Sequence, residues 1–203
     1  MTLANRITMA RMGLSLIIFA LIISKTLWAE VAALVLLTIA SVSDGVDGAI
    51  ARRTGTTTPF GAIADPFADK ILVMSVFLAF ASIRELAVPL WAVFLILLRE
   101  LTISTLRVLA ALHGEVMKAE KSGKIKTTIQ MTSAFIILTL LVLRYWGLEG
   151  TLPWAPLADL AALAKPAAWW LTVITALFTL ISGAIYLYNH RVLLYKSWSE
   201  RGR

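Results

Sequence analysis

The chain has 203 residues, 59% of them hydrophobic and 15% charged, with a net charge of +7 and a mean hydropathy of +0.83. Soluble domains run near half apolar and a quarter charged, and disordered chains are poor in apolar residues, so both classes are excluded. A nucleic-acid-binding domain would account for the charge but not the hydrophobicity, and the lack of cysteine removes disulfides, thiol catalysis and Cys-ligated metal.

The expected class is an all-α integral membrane protein with six transmembrane helices and a short N-terminal interfacial segment at 1–7. Its surroundings are the lipid bilayer, and no nucleic acid is expected as a partner. The first apolar run, 12–24, follows Arg6 and Arg11. It lacks a small-x-small cleavage site, so it reads as a retained first helix. The six spans are expected at 8–25, 29–52, 61–83, 88–112, 126–146 and 166–190. Short loops join them into one domain over 1–203, and the longest connection is 147–165. Only the last span contains 18 or more residues without a charge. The others qualify only if charged residues sit inside membrane helices.

Orientation follows from lysine and arginine. Twelve of them fall on the side that holds both termini and four on the other, with Lys70, Arg99 and Arg107 inside spans. The positive-inside rule puts both termini in the cytoplasm.

The acids inside the spans are the informative ones. Asp44 and Asp47 stand near the end of the second helix, Asp65 and Asp69 near the start of the third. Spacings of three and four put each pair on one helical face. A short connection makes the two helices expected neighbours, so four carboxylates converge near the cytoplasmic surface. Their mutual repulsion calls for a neutralising partner. All-oxygen ligation suits Mg²⁺ or Mn²⁺. A cation or proton pathway would also place acids in spans. Gly45, Gly48 and Gly61 beside the acids permit close approach of a ligand, and Arg52 and Arg53 add cations. Carboxylates, metal, glycine and arginine together suit a phosphate ester or diphosphate.

The stretch reads Asp44-x-x-Asp47-Gly48-x-x-Ala51-Arg52, then eight residues, then Gly61-x-x-x-Asp65-x-x-x-Asp69. It resembles the signature of CDP-alcohol phosphotransferases at every fixed position. The resemblance implies a six-helix membrane fold, commonly a homodimer, that transfers a phosphatidyl group from a CDP-linked donor to an alcohol and releases CMP. It implies that Asp44, Asp47, Asp65 and Asp69 hold two divalent ions and that Asp69 is the general base. It implies Gly48 and Arg52 as contacts to the cytidine diphosphate, Thr58 as a further donor, and Asn5 and Thr8 as an Asn-x-x-Thr segment closing the nucleotide pocket.

A second cluster bears on the acceptor. Arg99-Glu100 with Ser104 and Arg107, and Gly123-Lys124-x-Lys126-Thr127-x-x-Gln130, put several cations near the cytoplasmic side. Arg99-Glu100 also reads as a buried ion pair ordering the bundle. Taken together the two clusters resemble the phosphatidylglycerophosphate synthase branch of the family. That resemblance implies CDP-diacylglycerol as donor, sn-glycerol 3-phosphate as acceptor, and acceptor-phosphate contacts from Arg99, Arg107, Lys124 and Lys126. It also implies a bacterial inner or plasma membrane location. Inositol phosphate would want a cationic pocket too, and serine or phosphatidylglycerol are further acceptors within the family. The last 70 residues carry no usable signature.

Overall fold

The computed structural model describes residues 3–54, 59–112, 121–149 and 155–191, with side chains described for 8–43, 67–68, 70–110, 123–149 and 156–191. The described residues are helical, without strands. The α-helices are α1 (Leu3–Ile23), α2 (Leu27–Thr54), α3 (Pro59–Ser82), α4 (Leu90–Leu112), α5 (Lys121–Leu148), α6 (Ala155–Ala162) and α7 (Ala164–Asn189). A single 3₁₀ turn, Arg84–Leu86, lies between α3 and α4.

Four expectations change. No separate segment precedes α1 among the described residues, because nothing between Leu3 and Met12 is a helix breaker and the helix runs through. The connection at 147–165 contains α6, whose Pro156 falls in the first turn, where its missing N–H costs no intrahelical bond. For the same reason α7 starts at Ala164, ahead of Pro166. The polar residues Lys121–Lys126 are the first turns of α5.

Packing follows from helical stripes. On α1, Thr8, Arg11, Ser15, Ile18 and Ile22 are buried at alternating spacings of three and four. On α2 the buried stripe is Glu30, Ala33, Leu37 and Ala40. The helix α3 is buried on a wide face from Leu72 to Phe80, including the edge-to-face pair Phe77–Phe80. The sequence predicts α2 and α3 as direct neighbours, but the principal described partner of each is α1. The helix α7 packs on α4 and α5.

The outer surface is apolar, unlike that of a soluble bundle, around a core that is itself largely apolar with a minority of polar residues. Outward faces are apolar and exposed, as at Leu16, Val35, Phe94, Leu177 and Ile181. Inward faces carry Ser133, Thr172, Thr175, Thr179 and Ser182. Such inward polar residues join helices by hydrogen bonds where the outer solvent is hydrocarbon. Thr175 donates to Ser133 Oγ at 2.9 Å, tying α7 to α5. Two helices, Gly123–Leu148 and Ala164–Asn189, are long and apolar enough to cross a membrane. At the opposite end from the site, Lys25 and Ala87 take left-handed backbone angles (φ 56° and 49°) at two turns. An exposed Lys25–Glu85 ion pair at 3.6 Å links those turns.

Candidate functional site

The acid motif lies on two helices. Asp44, Asp47, Gly48 and Arg52 belong to the last turns of α2, and Asp65 and Asp69 to the first turns of α3. Their side chains, and that of Asn5 on α1, lie outside the described ones, as does Thr58 altogether. Thr8 is buried on the inward stripe of α1.

A cavity of about 380 Å³ begins one residue from the motif. Its wall takes Lys70 from α3, then Arg99, Glu100, Ile103, Ser104 and Arg107 from α4, and Gly123, Lys124, Lys126, Thr127 and Thr128 from α5. The volume falls in the range of small-molecule sites, about 300–1,000 Å³. Periodicity explains the lining. Arg99, Ile103 and Arg107 recur every fourth residue, and Gly123, Lys126 and Thr127 follow the three-four pattern of one helical face. All four cations singled out in the sequence on α4 and α5 therefore share one wall. Lys70 is a fifth, which sequence reading leaves unassigned. Its position directly after Asp69 was the available signal.

Among the described residues of the lining, five cations stand with one carboxylate, Glu100, a formal excess of four positive charges. Glu100 is 2% exposed. Its Oε1 accepts from Lys126 Nζ and from Gln130 Nε2 (3.1 Å), and Arg99 Nη1 lies at 3.7 Å. The ion pair expected between Arg99 and Glu100 is thus a three-residue network that Lys126 of the next helix completes. Arg99 Nε is buried without a hydrogen-bond partner among the described residues. Orphaned donors are costly and call for an acceptor.

The wall has a backing that sequence reading missed. Arg99 Nη2 donates to Ser182 Oγ at 3.2 Å, and Arg107 Nε donates to Tyr186 Oη at 3.0 Å. Gln130 also reaches Thr179 Oγ1 at 3.4 Å. His190 stands at the end of α7, where its ring stacks on Tyr186 at 4.3 Å.

The arrangement can bind a small, multiply charged anion next to the aspartate-bearing turn of α3. Comparison with known proteins agrees in kind. The chain is 35% identical over 196 residues to a CDP-diacylglycerol–glycerol-3-phosphate 3-phosphatidyltransferase of Bacillus subtilis (strain 168), covering 91% of this chain and 92% of the relative. A protein of the same name from Rickettsia felis is 36% identical over 137 residues, covering 67% and 74%. A cardiolipin synthase (CMP-forming) of Oryza sativa subsp. japonica is 33% identical over 153 residues, covering 68% and 46%. The family model for CDP-alcohol phosphatidyltransferase matches residues 1–181, nine-tenths of the sequence, and the chain belongs to that family.

Proposed function

We propose that this chain is a membrane transferase that moves the phosphatidyl group of CDP-diacylglycerol onto sn-glycerol 3-phosphate, giving phosphatidylglycerol phosphate and CMP. The observation that carries the reading is the cavity beginning at Lys70, one residue after Asp69, whose described lining brings five cations together with one carboxylate. An acceptor that is itself a phosphate ester would offset those charges, and a neutral alcohol would not. Bacterial relatives named for this reaction support it.

The roles are divided between the two parts of the site. Arg99, Arg107, Lys124 and Lys126 bind the acceptor's phosphate. Asp69 takes the proton of the acceptor hydroxyl, whose oxygen attacks the phosphorus bearing the diacylglycerol. The phosphoanhydride bond breaks and CMP leaves with the electron pair. Gly48, Arg52, Thr58, Asn5 and Thr8 hold the cytidine diphosphate. The donor set Asp44, Asp47, Asp65 and Asp69 is all-oxygen and helix-spaced, which fits two Mg²⁺ or Mn²⁺ ions. Such ions supply charge neutralisation on the diphosphate oxygens. Six spans, cytoplasmic termini and a homodimer complete the reading. The membrane boundary lets a soluble nucleotide head and buried acyl chains be satisfied together.

Purified protein in detergent micelles with CDP-diacylglycerol, sn-glycerol 3-phosphate and Mg²⁺ should release CMP. Release only with inositol phosphate, serine or phosphatidylglycerol would overturn the acceptor assignment. Ion flux in proteoliposomes without CMP formation would overturn the reaction.

A further inference from the structure

We propose that one face of α7 is a positioning rack for the two acceptor-site arginines, formed by Ser182, Gly183 and Tyr186 with Thr179 one turn earlier. The inference rests on the proposed acceptor role of the cavity. None of these four residues lines that cavity, and three of them lie beyond the family match that ends at 181.

Each arginine of α4 has its own dock. The stem of Arg99 lies across Gly183. A Cβ built on that glycine would stand 2.8 Å from Arg99 Cγ and 3.3 Å from Nε, closer than real Cβ contacts allow. The glycine therefore makes room for the arginine, while Ser182 next to it accepts from Nη2 at 3.2 Å. Arg107 is held by its Nε–H···Oη bond to Tyr186 at 3.0 Å and by the Tyr186 ring, 5.0 Å from the guanidinium carbon. Tyr186 is itself 2% exposed, so its hydroxyl cannot wander. The spacing 179, 182, 183, 186 is one helical face, and every member is buried.

A free arginine has many rotamers, and binding would have to restrict them. Fixing two forks from behind leaves their front faces set at one separation for a phosphate, which lowers the ordering cost of binding. The rack acts through Arg99 and Arg107. It touches neither substrate and is not catalytic.

The test is steady-state kinetics of the full chain in detergent, with both substrates varied. Tyr186→Phe removes one oxygen and keeps the ring. It should raise the KM for sn-glycerol 3-phosphate about tenfold, the weight of a hydrogen bond to a charged group. Gly183→Ala should raise it at least as much, with the KM for CDP-diacylglycerol within about twofold of the parent. In an Arg99→Ala background Gly183→Ala should add nothing further, because its effect runs through that side chain. An equal effect with and without Arg99, or parallel shifts in both KM values, would overturn the rack. Thermal stabilisation by inorganic phosphate gives a readout that needs no turnover. The phosphate midpoint should rise about tenfold in Tyr186→Phe, and an unchanged midpoint would overturn the inference even if Gly183→Ala fails to fold. Failure of the parent protein to release CMP with glycerol 3-phosphate refutes the acceptor reading instead, and the phosphate titration still judges the rack.

Discussion

Glu100→Gln probes the ionic network at the base of the cavity. The substitution keeps the shape of the side chain and removes its charge. In the native protein Glu100 is 2% and Lys126 6% exposed, and Oε1 of Glu100 serves Lys126, Gln130 and Arg99 at once. At the 3.7 Å separation from Arg99, the gross attraction is about 4–5 kcal/mol at an effective dielectric of about 20. After substitution two buried cations from neighbouring helices face each other without an anion. Removing one partner of a buried pair costs about 3–5 kcal/mol, mostly from the charge left behind. For a chain of this size that is a fall in melting temperature on the order of 10 °C. Thermal unfolding in detergent, followed by the fluorescence of the seven tryptophans, measures it. The double variant Glu100→Gln/Lys126→Met should be more stable than Glu100→Gln alone, since it removes an orphaned cation as well. A single variant within about 2 °C of the parent, or a double variant less stable than the single, would refute the reasoning.

Other expectations follow from separate parts of the molecule. Glu30 is fully buried on the inward stripe of α2, and neither carboxyl oxygen has a hydrogen-bond partner among the described residues. Glu30→Leu should therefore raise stability by about 1–3 kcal/mol in the same unfolding assay, and a loss of stability would show that the carboxyl has a partner. Asp69→Asn should lower turnover by about 10²–10⁴-fold, the span of general acid–base contributions, with far-UV circular dichroism unchanged. Chelation by EDTA should abolish CMP release and Mg²⁺ should restore it; activity that persists in EDTA would remove the divalent ions from the proposal. Lys124 stands exposed on the cavity rim. Lys124→Ala should raise the acceptor KM by a modest factor, about three- to tenfold, and flatten its rise with ionic strength.

Much of the candidate site is legible in the primary structure because its parts are helical and local. Arg99, Ile103 and Arg107 are separated by intervals that helical periodicity turns directly into neighbourhood, and Lys124 and Lys126 stand within the first two turns of α5. Both clusters line the cavity. Helix ends are less legible. The connection expected at 147–165 holds α6, and α7 starts at Ala164 rather than 166, with Pro156 and Pro166 in first turns, where proline is tolerated. Beyond those ends, α1 is the principal described partner of both α2 and α3, a placement no interval along the chain reveals.

The contribution of α7 is not legible at all. Ser182 is 83 residues from Arg99, and Tyr186 is 79 from Arg107. In the sequence α7 is the most ordinary span, with only a hydroxyl stripe, Thr172 to Ser182, as a sign that its inner face is occupied. Composition alone determined the membrane class, because so hydrophobic a chain cannot place its apolar surface in water. The spacing of Asp44, Asp47, Asp65 and Asp69 alone determined the family resemblance, since one helical turn aligns such residues whatever packs around them. Only the tertiary structure decided that Glu100 takes Lys126 as its nearest cation and that Gly183 makes room for Arg99. Those contacts join different helices, and helix–helix register is set by the packing of whole faces rather than by any interval along the chain.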